Sequence, residues 1–357
     1  MEIRVAVVGA TGIAGQQFMT ALAQHPWFKV KALGGSKRSA GKKYADALKT
    51  PNGQINWFQP EPIPAEFAKM TIQEAQDINL DEIDLVFTAI ESDAAREIEP
   101  MFAKHKPTIS TASAYRMEED VPLFIPGVNT GHAAMLAQQQ KNRDWKGFVV
   151  PIPNCTTYGL ACSLAPLKPL GIKTVLMTSL QATSGAGRHG GVLALDMVDN
   201  LVPYIPGEEE KVEREAKKIL GDLSSNGVNN ADFNVSCTCT RVPVTDGHTE
   251  TVFVQTEKTD VTVEEVEDLY RHYTSNLEGL PSAPQNFFQV HSDPFHPQPR
   301  LDRDQDGGMS THIGRVRIDR ALGGLKYVLL SHNTKAGAAK GAMLVAETLL
   351  QRGYIQT

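Results

Sequence analysis

The sequence predicts an α/β chain in two parts: a parallel sheet covered by helices on both faces, then an α+β region built on a large, mostly antiparallel sheet. Three observations carry that prediction. Strand-like and helix-like runs alternate over the first ~150 residues. A glycine loop joins the first strand to the first helix. Beyond about residue 150 the strands lengthen and crossover helices become sparse. The expected domains are 1–150 together with 335–357, and 151–334.

The elements follow in order. "IRVAVVG" is an unbroken apolar run rich in β-branched residues, as a strand buried on both faces requires. "AGQQFMTALAQHP" has helical apolar spacing, "KVKALGG" is a second strand, "LVFTAI" another, and "DAAREIEPMFAKH" a further helix. This βαβ rhythm implies parallel pairing with helices on both faces. Later come the longer strand runs "TVLMTSLQATSG", "VSCTCTRVPVTDGHTETVFVQT", "GRVRID" and "LKYVLLSHN", with one acidic helix, "VTVEEVEDLYRHYTS". The C-terminal "AGAAKGAMLVAETLLQRGYI" reads as a helix rich in small residues, expected to pack back on the first domain.

Bulk composition narrows the function classes. A chain of 357 residues is too long for one simple core. With 41% hydrophobic and 21% charged residues it has the make-up of a soluble globular protein. A formal net charge of −6 without any basic block argues against nucleic-acid binding. The opening "MEIRVAVVGATG" enters a strand directly, unlike a signal peptide, and no apolar run approaches the roughly 18–20 residues of a membrane helix. Four cysteines make a poor disulfide framework, and Cys237 and Cys239 would share one face of a strand as packing residues. The expected compartment is the reducing cytosol.

"AVVGATGIAG" places Gly9, Gly12 and Gly15 between the first strand and the first helix. Gly9 suits a tight turn, Gly12 the approach of a pyrophosphate to a helix N-terminus, and Gly15 close packing of helix on sheet. The βαβ context favours dinucleotide binding on a Rossmann-type, doubly wound sheet over a merely tight turn. Thr11 and Ile13 of the same loop are counted as cofactor contacts. The second strand ends in "ALGGSKRSAGKK", where an NAD site usually has an acidic residue. Ser36, Lys37, Arg38 and Ser39 suit a 2′-phosphate instead, so NADP is expected; a solvated basic loop is the alternative.

The stretch "VVPIPNCTTYGLACSLAPL" holds the two remaining cysteines. If a helix runs from Thr156 toward Leu164, Cys155 lies at its positive end, where the dipole favours thiolate and backbone amides face an oxyanion. Cys162, two helical turns on, reads as packing. A free cysteine is often a core residue, so a base is needed to decide. His248, in "RVPVTDGHTE" after Arg241, is the best placed of ten histidines. His105, His132 and His291 read as solvated. A Cys–His pair beside a nicotinamide implies aldehyde dehydrogenase chemistry through a thioester.

With these residues in view the chain resembles the aspartate-β-semialdehyde dehydrogenase family over essentially its whole length. The resemblance is carried by "GATGIAG", "SKRSAGKKY", "STASAYRMEEDVPLFIPGVN", "PNCTT", "QATSGAG", "GEEEKVEREAKKIL", "RVPVTDGHTE" and "HNTKAGAAKG". The "GEEEK" and "RVPVTDGH" forms are similar to the archaeal and fungal branch. The resemblance implies Cys155 as nucleophile, His248 as acid/base, Gln181 orienting substrate, and Asn154 fixing the acyl oxygen. It implies Arg241 for the α-carboxylate, Glu215 for the α-ammonium, and Arg116 with Lys218 for the phosphate. Asn333 would lie near the nicotinamide, and Ser92, Ser184 and Gly185 are counted with the cofactor contacts. The substrate's carboxylate, ammonium and phosphate suit those charges. Taken alone, Glu215 and Lys218 could equally form a solvated ion pair on one helix face.

The implied reaction is NADPH-dependent conversion of L-aspartyl-4-phosphate to L-aspartate-4-semialdehyde, releasing inorganic phosphate, in lysine, methionine and threonine biosynthesis. The expected assembly is a homodimer or homotetramer. A malonyl-CoA reductase or an N-acetylglutamyl-phosphate reductase is the alternative on this scaffold, though neither substrate has the free ammonium that Glu215 would meet. A catalytically silent NADP-binding regulator, with Cys155 only a reactive thiol, is the alternative from another class. The chain departs from the family after "SGAG", where Arg188, His189 and Gly190 replace Tyr-Pro-Gly, a change expected to act on the covering loop or on substrate preference. "DRDQDGG" mimics the start of a calcium loop through Asp302, Asp304, Asp306 and Gly307, but Ile313 stands where its glutamate would, so no metal site is expected.

Overall fold

The structure, a computed structural model, describes residues 2–187, 194–225 and 227–356. It divides into two compact units. The first comprises the chain up to Leu123, Ala133–Ile152 and the stretch from Ala338 onward; the second comprises Phe124–His132 and Pro153–Gly337. The segment 124–132, which the sequence reading grouped with the first domain, thus clusters with the second unit.

The first unit holds strands β1 (Ile3–Val8), β2 (Phe28–Gly35), β3 (Ile72–Glu74), β4 (Leu85–Thr88), β5 (Pro107–Ser110) and β6 (Phe148–Pro151). They form one sheet in the order β3-β2-β1-β4-β5-β6, parallel throughout. The apolar run of β1 is explained by its central place: Ile3, Val5, Ala6 and Val7 are fully buried. Strand order reverses between β1 and β4, so a crevice opens at their carboxyl ends. The Ile13–Leu22 helix buries Phe18 against Phe87 of β4, with ring centroids 5.0 Å apart. The C-terminal helix Ala339–Gln351 packs on it, as expected. The His25 ring beside it meets Glu347 at 2.9 Å.

The second unit holds β7 (Ile172–Gln181), the short hairpin β8 (Asp222–Ser224) and β9 (Gly227–Asn229), then β10 (Asn234–Arg241), β11 (His248–Thr256), β12 (Phe288–His291), β13 (Thr311–Asp319) and β14 (Gly324–Ser331). The large sheet runs β10-β7-β11-β14-β13-β12. Its centre is antiparallel, but both edge pairings, β10 with β7 and β12 with β13, are parallel, so the sheet is mixed. Alternation along β11 turns His248, Glu250, Val252, Val254 and Thr256 to the buried face. The helices Cys155–Leu164, Glu208–Leu220 and Val263–Arg271 cover that face. Tyr270 and Tyr327 are pinned there: the Tyr270 hydroxyl donates to the Ser163 carbonyl at 2.9 Å, and the Tyr327 and Ser163 hydroxyls pair at 2.8 Å.

His105 is exposed, as expected, but two other histidines are not solvated. His132 is 5% exposed, with its ring bonded to the Asn129 amide and the Gly221 carbonyl at 3.0 and 3.1 Å. His291 ends β12 and is half-buried. Among the described residues no helix is long and apolar enough to cross a membrane.

Candidate active site

In the second unit, strand register brings the chemistry to one end of the sheet. Parallel pairing sets Arg241 at the end of β10 beside Gln181 at the end of β7. Antiparallel pairing sets His248 at the start of β11 opposite Ser331, two residues before Asn333. Against this end lies the first residue of the Cys155–Leu164 helix, and Cys155 Sγ is 3.2 Å from His248 Nε2. Cys162, Cys237 and Cys239 are buried, and burial pushes each thiol up to about 12 or higher. They are inert packing groups, whereas Cys155 is half-buried beside a histidine.

The backbone fixes how His248 works. The Ala182 N–H donates to Nδ1 at 3.1 Å, so that nitrogen is an acceptor and the neutral ring carries its proton on Nε2, aimed at the sulfur. Full burial, and then the Arg241 charge, lower its pKa to about 3. The expected acid/base is therefore held as a neutral hydrogen-bond donor. Arg241, 5% exposed, donates from Nη1 to the Ala182 carbonyl at 2.7 Å, so both side chains hang from one peptide segment.

Close approach explains the glycines of the neighbouring loops. A Cβ on Gly185 would lie 3.1 Å from Arg241 Nη1 and 3.3 Å from the His248 ring. A Cβ on Gly337 would lie 3.0 Å from Cys155 Cβ. Gly337 stands in "HNTKAGAAKG" yet escapes a reading by motif role, because its function is to leave room. Asn333 ties the loops together: its Oδ1 accepts from the Gly247 N–H and its Nδ2 donates to Ser184 Oγ, both at 2.8 Å.

The Glu208–Leu220 helix settles the ambiguity of its charges. Glu215 and Lys218 are 2% and 5% exposed, which excludes a solvated ion pair. Glu215 Oε2 accepts from the Asn154 backbone N–H at 2.7 Å, and Glu208 Oε1 accepts from Asn154 Nδ2 at 2.9 Å. Asn154 itself is the N-cap: its Oδ1 accepts from the Thr156 and Thr157 amides at 2.9 and 3.1 Å. Oδ1 thus serves the cap and one Nδ2 hydrogen meets Glu208, which leaves the second Nδ2 hydrogen for the acyl oxygen that Asn154 is expected to fix. Glu208 is the partner that the sequence reading missed; its place in "GEEEK", seven residues before Glu215 on the same helix, was its signal. Gln181 is buried and donates to Ser179 Oγ at 3.1 Å.

In the first unit, Gly9 has φ +88, which suits the expected tight turn, and a Cβ on Gly15 would fall 2.1 Å from the Gly9 carbonyl oxygen, so Gly15 lets the helix close on that turn, where packing on the sheet was expected. Gly12 caps the Ile13–Leu22 helix without any side-chain bond, and a Cβ there would meet the Gly9 carbonyl oxygen at 3.5 Å; the first-turn amides suit an anion. Thr11 and Ile13 flank it. Ser36, Lys37 and Arg38 are exposed at the end of β2, and the Ser39 hydroxyl donates back to the Ser36 carbonyl at 3.1 Å. This cradle, with cations past the second strand, fits a dinucleotide carrying a 2′-phosphate. Ser92 starts the Ser92–Ala103 helix and pairs with Ser113 at 2.6 Å. Arg116 is 7% exposed, with Nη2 donating to the Thr111 carbonyl at 3.0 Å. Arg188 and His189, the departure from the family pattern, lie outside the described residues.

The chain is similar to known proteins over nearly its whole length. The family described as semialdehyde dehydrogenase, NAD binding domain, matches residues 4–136, and semialdehyde dehydrogenase, dimerisation domain, matches 164–335. An aspartate-semialdehyde dehydrogenase of Archaeoglobus fulgidus is 45% identical, covering 99% of this chain and 100% of the relative. That of Saccharomyces cerevisiae is 41% identical over 98% of each. The crystal structure of the Candida albicans enzyme with NADP superposes with a TM-score of 0.88 at 39% identity, covering 99% of this chain and 100% of that one.

Proposed function

The chain belongs to the aspartate-semialdehyde dehydrogenase family, and from that premise we propose how its residues convert L-aspartyl-4-phosphate to L-aspartate-4-semialdehyde. The product feeds lysine, methionine and threonine biosynthesis. The observation that carries the reading is the Cys155–His248 pair, 3.2 Å apart at a capped helix N-terminus. Cys155 thiolate attacks the acyl carbon; a C–S bond forms, the C–O bond to phosphate breaks, and inorganic phosphate leaves with a thioester behind it. NADPH, when bound, supplies the hydride that reduces the acyl group. The Nε2–H of His248 stabilises charge first on sulfur and then on the acyl oxygen by hydrogen bonding, and the C–S bond breaks to return thiolate.

Substrate contacts follow the charges. Arg241, beside the pair, offers a fork to the α-carboxylate. Glu215 is the counter-charge to the α-ammonium, while Gln181 orients the chain between them. Lys218 and, from the first unit, Arg116 are assigned to the phosphate by family motif. Ser36 to Ser39 take the 2′-phosphate of NADP, with Gly9, Thr11, Gly12, Ile13 and Gly15 at the pyrophosphate. Ser92, Ser184, Gly185 and Asn333 complete the cofactor contacts. We place the enzyme in the cytoplasm as a homodimer or homotetramer. The matched dimerisation domain and the exposed Leu176 and Leu180 on the outer face of β7 support the assembly.

The test is NADP reduction with aspartate semialdehyde, with and without inorganic phosphate, alongside the forward reaction run with NADPH and NADH in parallel. Phosphate-dependent turnover that disappears in Cys155→Ala, with NADP still bound, is expected. Turnover without phosphate, or with malonyl-CoA in place of the aspartyl substrate, overturns the substrate assignment. Equal forward rates with NADH overturn the role given to Ser36–Ser39.

A further inference from the structure

We propose that His291, His296 and Asp302 form a site for a divalent transition-metal ion of the zinc class, one that braces the segment presenting His248. Among the described residues, one ligating atom from each of the three lies within 4.8 Å of the others. Zinc–ligand distances of about 2.0–2.2 Å place donors a little over 3 Å apart, so small side-chain shifts would close the set on one ion. Two imidazoles with a carboxylate are borderline donors that suit zinc, cobalt or nickel better than calcium or magnesium.

The donors are built in by packing. His291 and His296 stack with centroids 5.3 Å apart and planes 17° from parallel, although they leave β12 and the following turn separately. Asp302 is 2% exposed, and its Oδ2 lies 2.7 Å from His296 Nδ1 while accepting from the Gln298 N–H at 2.6 Å. Gln305 donates to the other oxygen at 3.2 Å. The fully buried His312 meets His291 ring to ring at 3.0 Å, the orienting partner that a metal-bound imidazole needs. Asp293 stands outside this set: its carboxylate lies 4.0 Å from His296 Nε2, whereas Asp302 meets the same ring at Nδ1. The aspartates that suggested a calcium loop do not converge: Asp304 turns to Lys335 and Asp306 to Ser310.

Asp302 is joined to the catalytic pair through its own short helix. A Cβ on Gly247 would lie 3.4 Å from Pro299 and 3.3 Å from Arg303, and Arg303 Nη1 donates to the Asp246 carbonyl at 3.0 Å. The segment 299–303 therefore backs the turn from which His248 emerges. An ion at Asp302 acts on that turn as a brace and touches no substrate.

The test uses the full chain carrying Cys155→Ala, so that the nucleophile and His248 cannot offer a competing thiolate site. After chelation and dialysis it is titrated with Zn²⁺ by calorimetry and with Co²⁺ by visible absorption. One ion per chain is expected, with cobalt ligand-field bands and no thiolate charge-transfer band. In the same host, His291→Ala with His296→Ala should weaken Zn²⁺ binding by at least about 100-fold, more than loss of an orienting partner causes. Because the double variant can fail to fold, His296→Gln alone, at a half-buried side chain, is read beside it and should weaken binding at least about tenfold. Absence of stoichiometric binding in the host, or undiminished affinity in either folded variant, overturns the proposal.

Discussion

His248 owes its chemistry to a single backbone amide. Because the Ala182 N–H donates to Nδ1, protonating that nitrogen would set two donors against each other, and burial beside Arg241 adds to the cost. The ring therefore stays neutral with its proton on Nε2. Nitrogen NMR of selectively labelled enzyme should show this tautomer throughout pH 5–8, with no titration of that ring. A midpoint inside that interval would sink the donor role and restore acid/base exchange with Cys155. Sequence alone placed the residue but could not reveal its protonation, since the deciding partner is a main-chain group 66 positions away. Gly337 was hidden for a related reason. Its contribution is the missing Cβ, which would come within 3.0 Å of Cys155 Cβ, and Gly337→Ala should lower kcat on the order of 100-fold by displacing the sulfur while leaving NADP affinity unchanged. An Ala variant with near-normal kcat would show that the loop yields freely.

At the scale of elements, the Cys155–Leu164 helix is the device that makes an ordinary thiol useful, and its first turn is held from outside the helix. Asn154 caps two amides, while Glu208 and Glu215 grip its side chain and its backbone N–H. Asn154→Ala should cost about 1–2 kcal/mol in urea unfolding through the lost cap. Asn154→Asp keeps a cap acceptor but sets a third carboxylate against Glu208, so it should recover little at neutral pH; full recovery would show that the cap is the whole contribution. The strand and helix runs of the first unit were legible because a buried parallel strand such as β1 must be continuously apolar, and its crossover helix must be amphipathic. The edge pairings of the second sheet were not. Alternation along β10 or β12 fixes which side chains turn inward but leaves strand direction open, and direction there is set by distant segments. Likewise Glu215 and Lys218 looked like a solvated charge run until the helix packed with that face buried.

For the whole molecule, the dependence of stability on pH should be set by buried groups shifted in opposite senses. Glu99 is fully buried, accepts from Thr88 Oγ1 at 2.6 Å and also from Ser110, yet desolvation outweighs those bonds and raises its pKa from 4.5 to about 7. Burial raises Glu250 as well, whereas His248 is lowered from 6.5 to about 3. Below pH 4.5 the Glu99 carboxyl holds its proton folded or unfolded. Between pH 4.5 and about 7 the unfolded chain releases it and the folded one does not, so stability falls as pH rises, by about 3 kcal/mol in all. His248 acts the other way: its contribution is present above pH 6.5 and is lost as pH falls toward 3. The two slopes overlap between pH 4.5 and 6.5 and partly cancel. Glu99→Gln keeps an acceptor for Thr88 and Ser110 but cannot ionise in either state. Urea midpoints measured from pH 4.5 to 8 should therefore rise with pH more steeply in the variant than in the parent over the acid half of that range. Parallel curves would mean that Glu99 is already ionised in the folded protein, with the Thr88 and Ser110 hydroxyls sufficient to hold its charge.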